Sequence, residues 1–338
     1  MKQDYPSNQQ KPLLIIKSEE EFLALMEDID REMVAENTKI TARPIVAGLK
    51  FAQRCNVTLN AIPPNRPPKK DCFDPLEISI RIKQWIEQRY GEKIKIYSHT
   101  GRVIFPLRGD LYVIHCPKIY GTVEFVCDPN TAGDKRARIG KNKPPVCNIL
   151  DSIEGLTINF AKSLNAEEVI KITAAFTTGM GAYMNLEAIN DLNYVNEAIG
   201  NLDAAVLHLI NNKAQPGLSK WESLQAVEKL VKTYISQKGE EIKRTHSLNR
   251  LFGQAKELGL IVPPQMYIDD VQCSAGVRYG ETLVSIEDAV KAHLVSLEIC
   301  EVTSQCIGKF LNKSMPSIPE PLIDGIPLTQ FCSKHMKT

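Results

Sequence analysis

Apolar positions along this chain follow two rhythms, and the slower one dominates. From Trp221 to Leu258, apolar residues recur at three- and four-residue steps: Leu224, Val227, Leu230, Val231, Tyr234 and Ile235, then Leu248, Leu251, Phe252, Ala255 and Leu258. That spacing lays each set along one face of a helix. Glu228, Lys229, Lys232 and Lys238 fall largely off the first face. Ser219 and Glu222 have the S-x-x-E spacing of a capping box, which predicts a helix start there, and Gly239 and Gly259 predict the two helix ends. Two such helices joined by a short polar connection predict an antiparallel pair, the nucleus of an up-and-down bundle.

The same rhythm predicts helices elsewhere. Ser18 with Glu21 opens one that runs to about Glu36, with Phe22, Leu25, Met26, Ile29 and Met33 inward. LEISIRIKQWIEQRYGEK places Ile78, Ile82, Trp85 and Ile86 on one face and stops at Gly91. LDSIEGLTINFAKSL and EEVIKITAAFTTGMGAYM (capped by Asn165 with Glu168) predict two connecting helices. LEAINDLNYVNEAIGNLDAAVLHLIN predicts the first helix of the bundle, and Ser285 with Asp288 caps the last. Strand-like runs are fewer. LLII at Leu13 to Ile16 predicts a short strand. KIKIYS, GRVIFPL with RGDLYVIHC, and YGTVEFVCD predict an antiparallel meander turning at Gly101 and Gly109. Val46 to Leu59 fits helix or strand, and the proline-rich stretch Ile62 to Pro75, with Arg66, Lys69 and Lys70, predicts a loop. Residues 1–12 are polar, with Pro6 and Pro12, and are expected to be disordered.

The expected architecture is therefore an α+β N-terminal domain over residues 1–147, a helical connector over 148–185, an all-α up-and-down bundle over 186–312, and a proline-rich tail over 313–338. A length of 338 residues accommodates two domains. A net charge of +1 gives no global attraction to polyanions, so any nucleic-acid contact has to come from local patches. The absence of a run of about 18 apolar residues, together with a polar N-terminus, predicts a cytoplasmic protein with no membrane partner. Nine irregularly spaced cysteines without a C-x-x-C predict reduced thiols rather than a disulfide framework. His115-Cys116 has no second ligand pair to complete a metal site, so neither metal nor cofactor is expected. Ser18 followed by Asp28-Ile29-Asp30 imitates a nucleotidyltransferase signature. Its aspartates fall within a helix-period pattern, however, and Lys17 stands where a glycine is required, so a solvated helix face is the better reading.

AVEKLVKTYISQKG, RTHSLNRL, RYGE and SIEDAVKAHL, in that order and spacing, resemble successive helices of the HEPN family over Leu186 to Leu311. The resemblance implies a small helical domain that commonly forms a homodimer. Many family members are metal-independent RNA-cleaving toxins or defence effectors, with an arginine four to six positions before a histidine. On a helix that spacing puts an acid–base group and a cation on one face. The pattern is missing here. At those distances Glu287, Asp288 and Ala289 precede His293; Glu240, Glu241 and Ile242 precede His246; Leu202, Asp203 and Ala204 precede His208; and no histidine stands four to six positions after Arg278.

The resemblance then implies the non-catalytic branch, with Lys229, Lys232, His246, Arg278 and Tyr279 as nucleotide- or RNA-binding positions. Each has a structural alternative. The lysines fit a solvated face, His246 fits a cap or a bridge between helices, and Arg278 fits a pair with Glu228 or Asp270. Lys135, Arg136 and Arg138, in a glycine- and proline-flanked basic stretch with Lys141 and Lys143, are candidates for phosphate contact. They lie outside any Walker pattern, since no G-K-[ST] follows. Three functions stay open: non-enzymatic binding of nucleotide or RNA in a defence, mobile-element or toxin–antitoxin setting; RNA cleavage by an atypical site around His293 or His246; and a dimerising scaffold for a protein partner. The first is favoured, because the cleavage motif is absent.

Overall fold

The computed structural model describes residues 15–61, 63–94, 99–133, 144–323 and 325–330. The expectations for residues 1–12 and for the basic stretch with Lys135, Arg136 and Arg138 lie outside the described residues, as does most of KIKIYS. The chain divides into two compact units, Met1–Tyr97 and Ser98–Thr338.

In the described part of the first unit, three helices surround one core: α1 (Glu19–Ala35), α2 (Arg43–Cys55) and α3 (Pro75–Tyr90). The Ser18 hydroxyl accepts the Glu21 amide and the Glu21 carboxylate accepts the Lys17 amide, satisfying two donors at the start of α1. Val46 to Leu59 resolves as helix through Cys55, ended by Asn56 in the left-handed region (φ 51°). Phe22, Met26, Ile29 and Met33 of α1 pack against Phe51 of α2 and Ile78, Ile82 and Ile86 of α3, with the Phe22 and Phe51 rings 5.8 Å apart. Ile15 and Ile16 form no strand, although Ile16 is buried.

Two acids inside this unit are held by cations. Asp30 is buried and accepts hydrogen bonds from Arg43 (3.3 Å), Arg89 (3.2 Å) and Tyr90. Glu77 is buried on α3 and accepts from both Arg66 terminal nitrogens and from the Lys69 amide (2.8 Å). The proline-rich loop is thus stitched to α3, and Arg66 is a structural cation rather than a surface one. Asp28, the first aspartate of the nucleotidyltransferase-like run, pairs with Arg54 and Arg31. Among the described residues no group of three His, Cys, Asp or Glu is placed to hold a metal ion.

The second unit opens with a hairpin, β1 (His99–Leu107) and β2 (Asp110–Pro117). Arg108 (φ 52°) and Gly109 (φ 91°) make its two-residue turn with positive φ at both positions, the geometry that matches strand twist. The expected hairpin turn at Gly109 forms, but Gly101 lies inside β1 rather than in a turn, and among the described residues YGTVEFVCD adds no third strand to the hairpin. Val113 and Ile114 on the far edge of β2 pair with Glu154 and Ile153, so the edge a third strand would need is occupied. β3 (Glu124–Val126) instead pairs parallel with β4 (Val146–Asn148) and β5 (Leu322–Ile323), and β6 (Ile326–Pro327) closes that second sheet. The C-terminal tail therefore packs through β5, with Ile323 buried.

LDSIEGLTINFAKSL is not one helix. Gly155 (φ 72°) separates a 3-10 turn at Ile149–Ser152 from α4 (Ile158–Lys162). α5 (Ala166–Glu187) starts with the expected Asn165/Glu168 capping box. Arg108 at the hairpin tip reaches this capped end, donating to Glu168 (2.6 and 2.8 Å) and to the Ser163 carbonyl (2.7 Å).

The remaining helices are α6 (Val195–Ile210), α7 (Pro216–Gln237), α8 (Leu248–Glu257), α9 (Gln265–Val271) and α10 (Ile286–Phe310). The first bundle helix thus begins at Val195 rather than Leu186, because Tyr194 (φ 70°) breaks the run and Leu186 lies in the last turn of α5. Missing side chains on α5 set the layering: a Cβ on Gly179 would overlap Val103 of β1, and one on Gly181 would overlap Glu301 of α10. The hairpin and α10 therefore approach α5 closely from different sides. Hairpin, small sheet and helices share one continuous apolar core. The compact units divide before residue 98, so residues 99–133 and 144–147 fall in the same unit as the later helices and share their core. The region before residue 193 is α+β, and the segment 193–312 is helical. Among the described residues no helix is long and apolar enough to cross a membrane.

Candidate functional site

α7 carries the site. It begins at Pro216, four residues earlier than the Ser219 cap predicted, with proline in the first turn where no amide partner is lost. Ser219 is consequently inside the helix, buried, and its hydroxyl does not cap. Leu224, Val227, Leu230, Val231, Tyr234 and Ile235 face the core as predicted. Trp221, Gln225, Glu228 and Lys232 then recur at four- and three-residue steps along a second stripe.

Glu228 organises the middle of that stripe. Its carboxylate is 3% exposed, yet it accepts Lys232 Nζ (2.6 Å), His246 Nδ1 (2.9 Å) and Gln225 Nε2 (3.1 Å). Three donors offset the cost of burying the charge. The contact to a carboxylate oxygen is one that an Nδ1–H of His246 makes as donor. Lys229 turns the other way and donates to Asn201 Oδ1 of α6, while the Asn201 amide donates to Glu222. Both lysines are half-buried and bonded, so neither is a solvated surface cation.

Trp221 organises the upper end. Its ring is 5.8 Å from His246 and 5.1 Å from the Arg278 guanidinium, which also lies 5.5 Å from the Tyr279 ring. Arg278 and Tyr279 belong to a 3-10 helix, Ala275–Tyr279, that comes close because α7 has a glycine at 217. A Cβ there would overlap the Val277 carbonyl oxygen. His246 is held from behind: Gln272, just past α9, accepts the Leu248 amide (2.8 Å) and donates to the His246 carbonyl (3.4 Å). Ser247, not His246, caps α8. Asp270 pairs with Lys291 (2.8 Å), so neither acid considered for Arg278 is bonded to it, and among the described residues no carboxylate lies within 4 Å of its guanidinium.

The structure thus gathers His246, Arg278 and Tyr279 around Trp221, ties Lys232 to the same group through Glu228, and sends Lys229 to a neighbouring contact with α6. Trp221 and Glu228 were missed as functional positions. The available signal was their seven-residue spacing, which places a tryptophan and an acid on one stripe. His293 is elsewhere, fully buried in α10 with neither ring nitrogen hydrogen-bonded, and burial lowers its pKa to about 3. A neutral ring with no exposed atom cannot meet a substrate. His208 is bonded to Gln215 (2.9 Å).

Neither the curated proteins nor the solved structures contain a match to this chain. The segment 193–312, which holds α6 to α10 and all five candidate residues just described, matches the family model of the HEPN domain, and the region before it matches no family.

Proposed function

We propose that this protein binds nucleotide or RNA without cleaving it, at the Trp221–His246–Arg278–Tyr279 cluster. The observation that supports this most is Arg278, an exposed guanidinium laid against two aromatic rings with no carboxylate within 4 Å among the described residues. A cation held beside rings rather than by a carboxylate keeps its donors for an incoming phosphate, and bidentate geometry suits phosphate oxygens. Lys232 and Lys229 support the site by positioning Glu228 and α6 rather than by touching ligand. The stretch with Lys135, Arg136 and Arg138 is a second phosphate contact in this reading, and the homodimer and the defence, mobile-element or toxin–antitoxin setting implied by the family come with it.

The experiment is a titration of labelled RNA and of nucleotides across a salt series, in chelator-containing buffer, with the RNA then run on a denaturing gel. Arg278→Glu is expected to weaken binding about tenfold or more, and the RNA is expected to stay intact. Unchanged affinity in Arg278→Glu removes the site. Cleavage that His246→Ala abolishes would replace binding with catalysis.

A further inference from the structure

We infer that the cluster receives an unpaired, unstacked base, as on single-stranded RNA, and that Tyr279 is the surface on which the base lies. This rests on the nucleic-acid reading of the same site. The three rings of the cluster are not equivalent. Trp221 is 8% exposed and Arg278 lies against it, so the indole serves as a floor. His246 is committed to Glu228 through Nδ1. Tyr279 is 70% exposed, and the Arg278 guanidinium lies within 5.5 Å of its ring centre.

Its backbone is fixed. Gly280 ends the 3-10 turn in the left-handed region (φ 73°), and the Glu281 amide closes back on the Gly276 carbonyl (3.0 Å). An exposed aromatic on a fixed turn is a stacking platform that loses little freedom on binding. A base laid on it brings its own phosphate toward Arg278.

A duplex fits this surface poorly. Base faces in a helix are covered by their neighbours, and double-stranded RNA is gripped through phosphates and 2′-hydroxyls spread over successive grooves. That grip needs several spaced cations. Of the three cations assigned on the bundle, Lys232 is bonded to Glu228 and Lys229 to Asn201, which leaves Arg278 as the cation beside the open ring. One guanidinium beside one open ring matches one nucleotide.

The test uses the full chain, a short fluorescein-labelled single-stranded RNA, and the same strand annealed to its complement, at fixed low salt. Wild type, Tyr279→Leu, Tyr279→Phe and Arg278→Glu are compared. The single strand is expected to bind more tightly than the duplex. Tyr279→Leu is expected to weaken it about tenfold without changing the salt dependence, and Tyr279→Phe to retain affinity. Tyr279→Leu binding like wild type, or duplex binding as tightly as single strand, overturns the inference. If Arg278→Glu still loses affinity in that case, the site survives and only the stacking role falls. If wild type binds neither RNA, or if neither substitution changes affinity, the site itself is refuted together with the inference.

Discussion

His293 gives the sharpest test of the packing. The ring is enclosed in α10 with both nitrogens unpartnered, and desolvation alone lowers its pKa from 6.5 to about 3. The unfolded chain binds a proton near the ordinary histidine value, whereas the folded chain does so only near 3. Between those values the unfolded state holds more protons, so folding stability is full above 6.5 and falls as the solution becomes more acidic. The slope approaches about 1.4 kcal/mol per pH unit, and from about pH 8 to about pH 5 the loss comes to about 2 kcal/mol.

Other groups titrate over the same range, so the measurement is a difference of differences. Urea unfolding is followed at both pH values for wild type and for His293→Leu, with His293→Met as a second apolar replacement. Trp85 belongs to the first unit and Trp221 to the second, so a Trp85→Phe background lets fluorescence report the second unit alone. The leucine variant is expected to lose about 2 kcal/mol less than wild type on acidification. Equal losses would refute the reasoning, because they would mean that the ring is already hydrated or hydrogen-bonded in the folded protein.

Two further outcomes test the site and the first unit. Gly217→Ala would ordinarily favour a helix, but here its methyl meets the Val277 carbonyl. It is expected to destabilise the second unit by about 1–3 kcal/mol and to weaken RNA binding by displacing Arg278; a stabilised variant with unchanged affinity would contradict the close approach. The Glu77 carboxylate is held down to about 2, first by Arg66 and then by the Lys69 amide, so its contribution to the first unit is complete above 4.5 and is lost as pH falls from 4.5 toward 2. Glu77→Gln is expected to flatten that acid limb, read from Trp85 in a Trp221→Phe background, and an unchanged limb would place the acid sensitivity elsewhere.

Helix faces were legible because burial imposes a period. Leu224 to Ile235 and Leu248 to Ala255 turned inward, and Ser18, Asn165 and Ser285 cap as their spacing says, whereas α8 is capped by Ser247 and not by His246. Boundaries were less so. Ser219 has the capping spacing, but Pro216 starts the helix a turn earlier, and the apolar period reads the same either way. β3 has a credible strand pattern, and nothing in it reveals that Ile153 has taken the edge of β2. Pattern reports which residues are buried, not which edge they find. In the site, His246, Arg278 and Tyr279 came from family resemblance. Trp221 read as one more apolar residue of a helix, and the reason Arg278 can lie on it is a missing side chain at Gly217, which leaves no mark on hydrophobic rhythm.

The lysines show why charge counted along a chain overstates what a surface can do. Lys229 and Lys232, three residues apart on α7, look like a cationic face. In the fold, an acid buried one turn before Lys232 has a stronger claim on it than any solvated phosphate, because an unpartnered buried carboxylate costs more than a surface ion pair gains. Lys229 is engaged too, by the neutral amide oxygen of Asn201 on α6. What remains exposed beside Trp221 is one guanidinium whose position is set by ring faces rather than by an acid. On the proposed nucleic-acid reading, affinity for a polyanion depends less on summed charge than on the ring beside Arg278, and that reading places the weight of recognition on Tyr279.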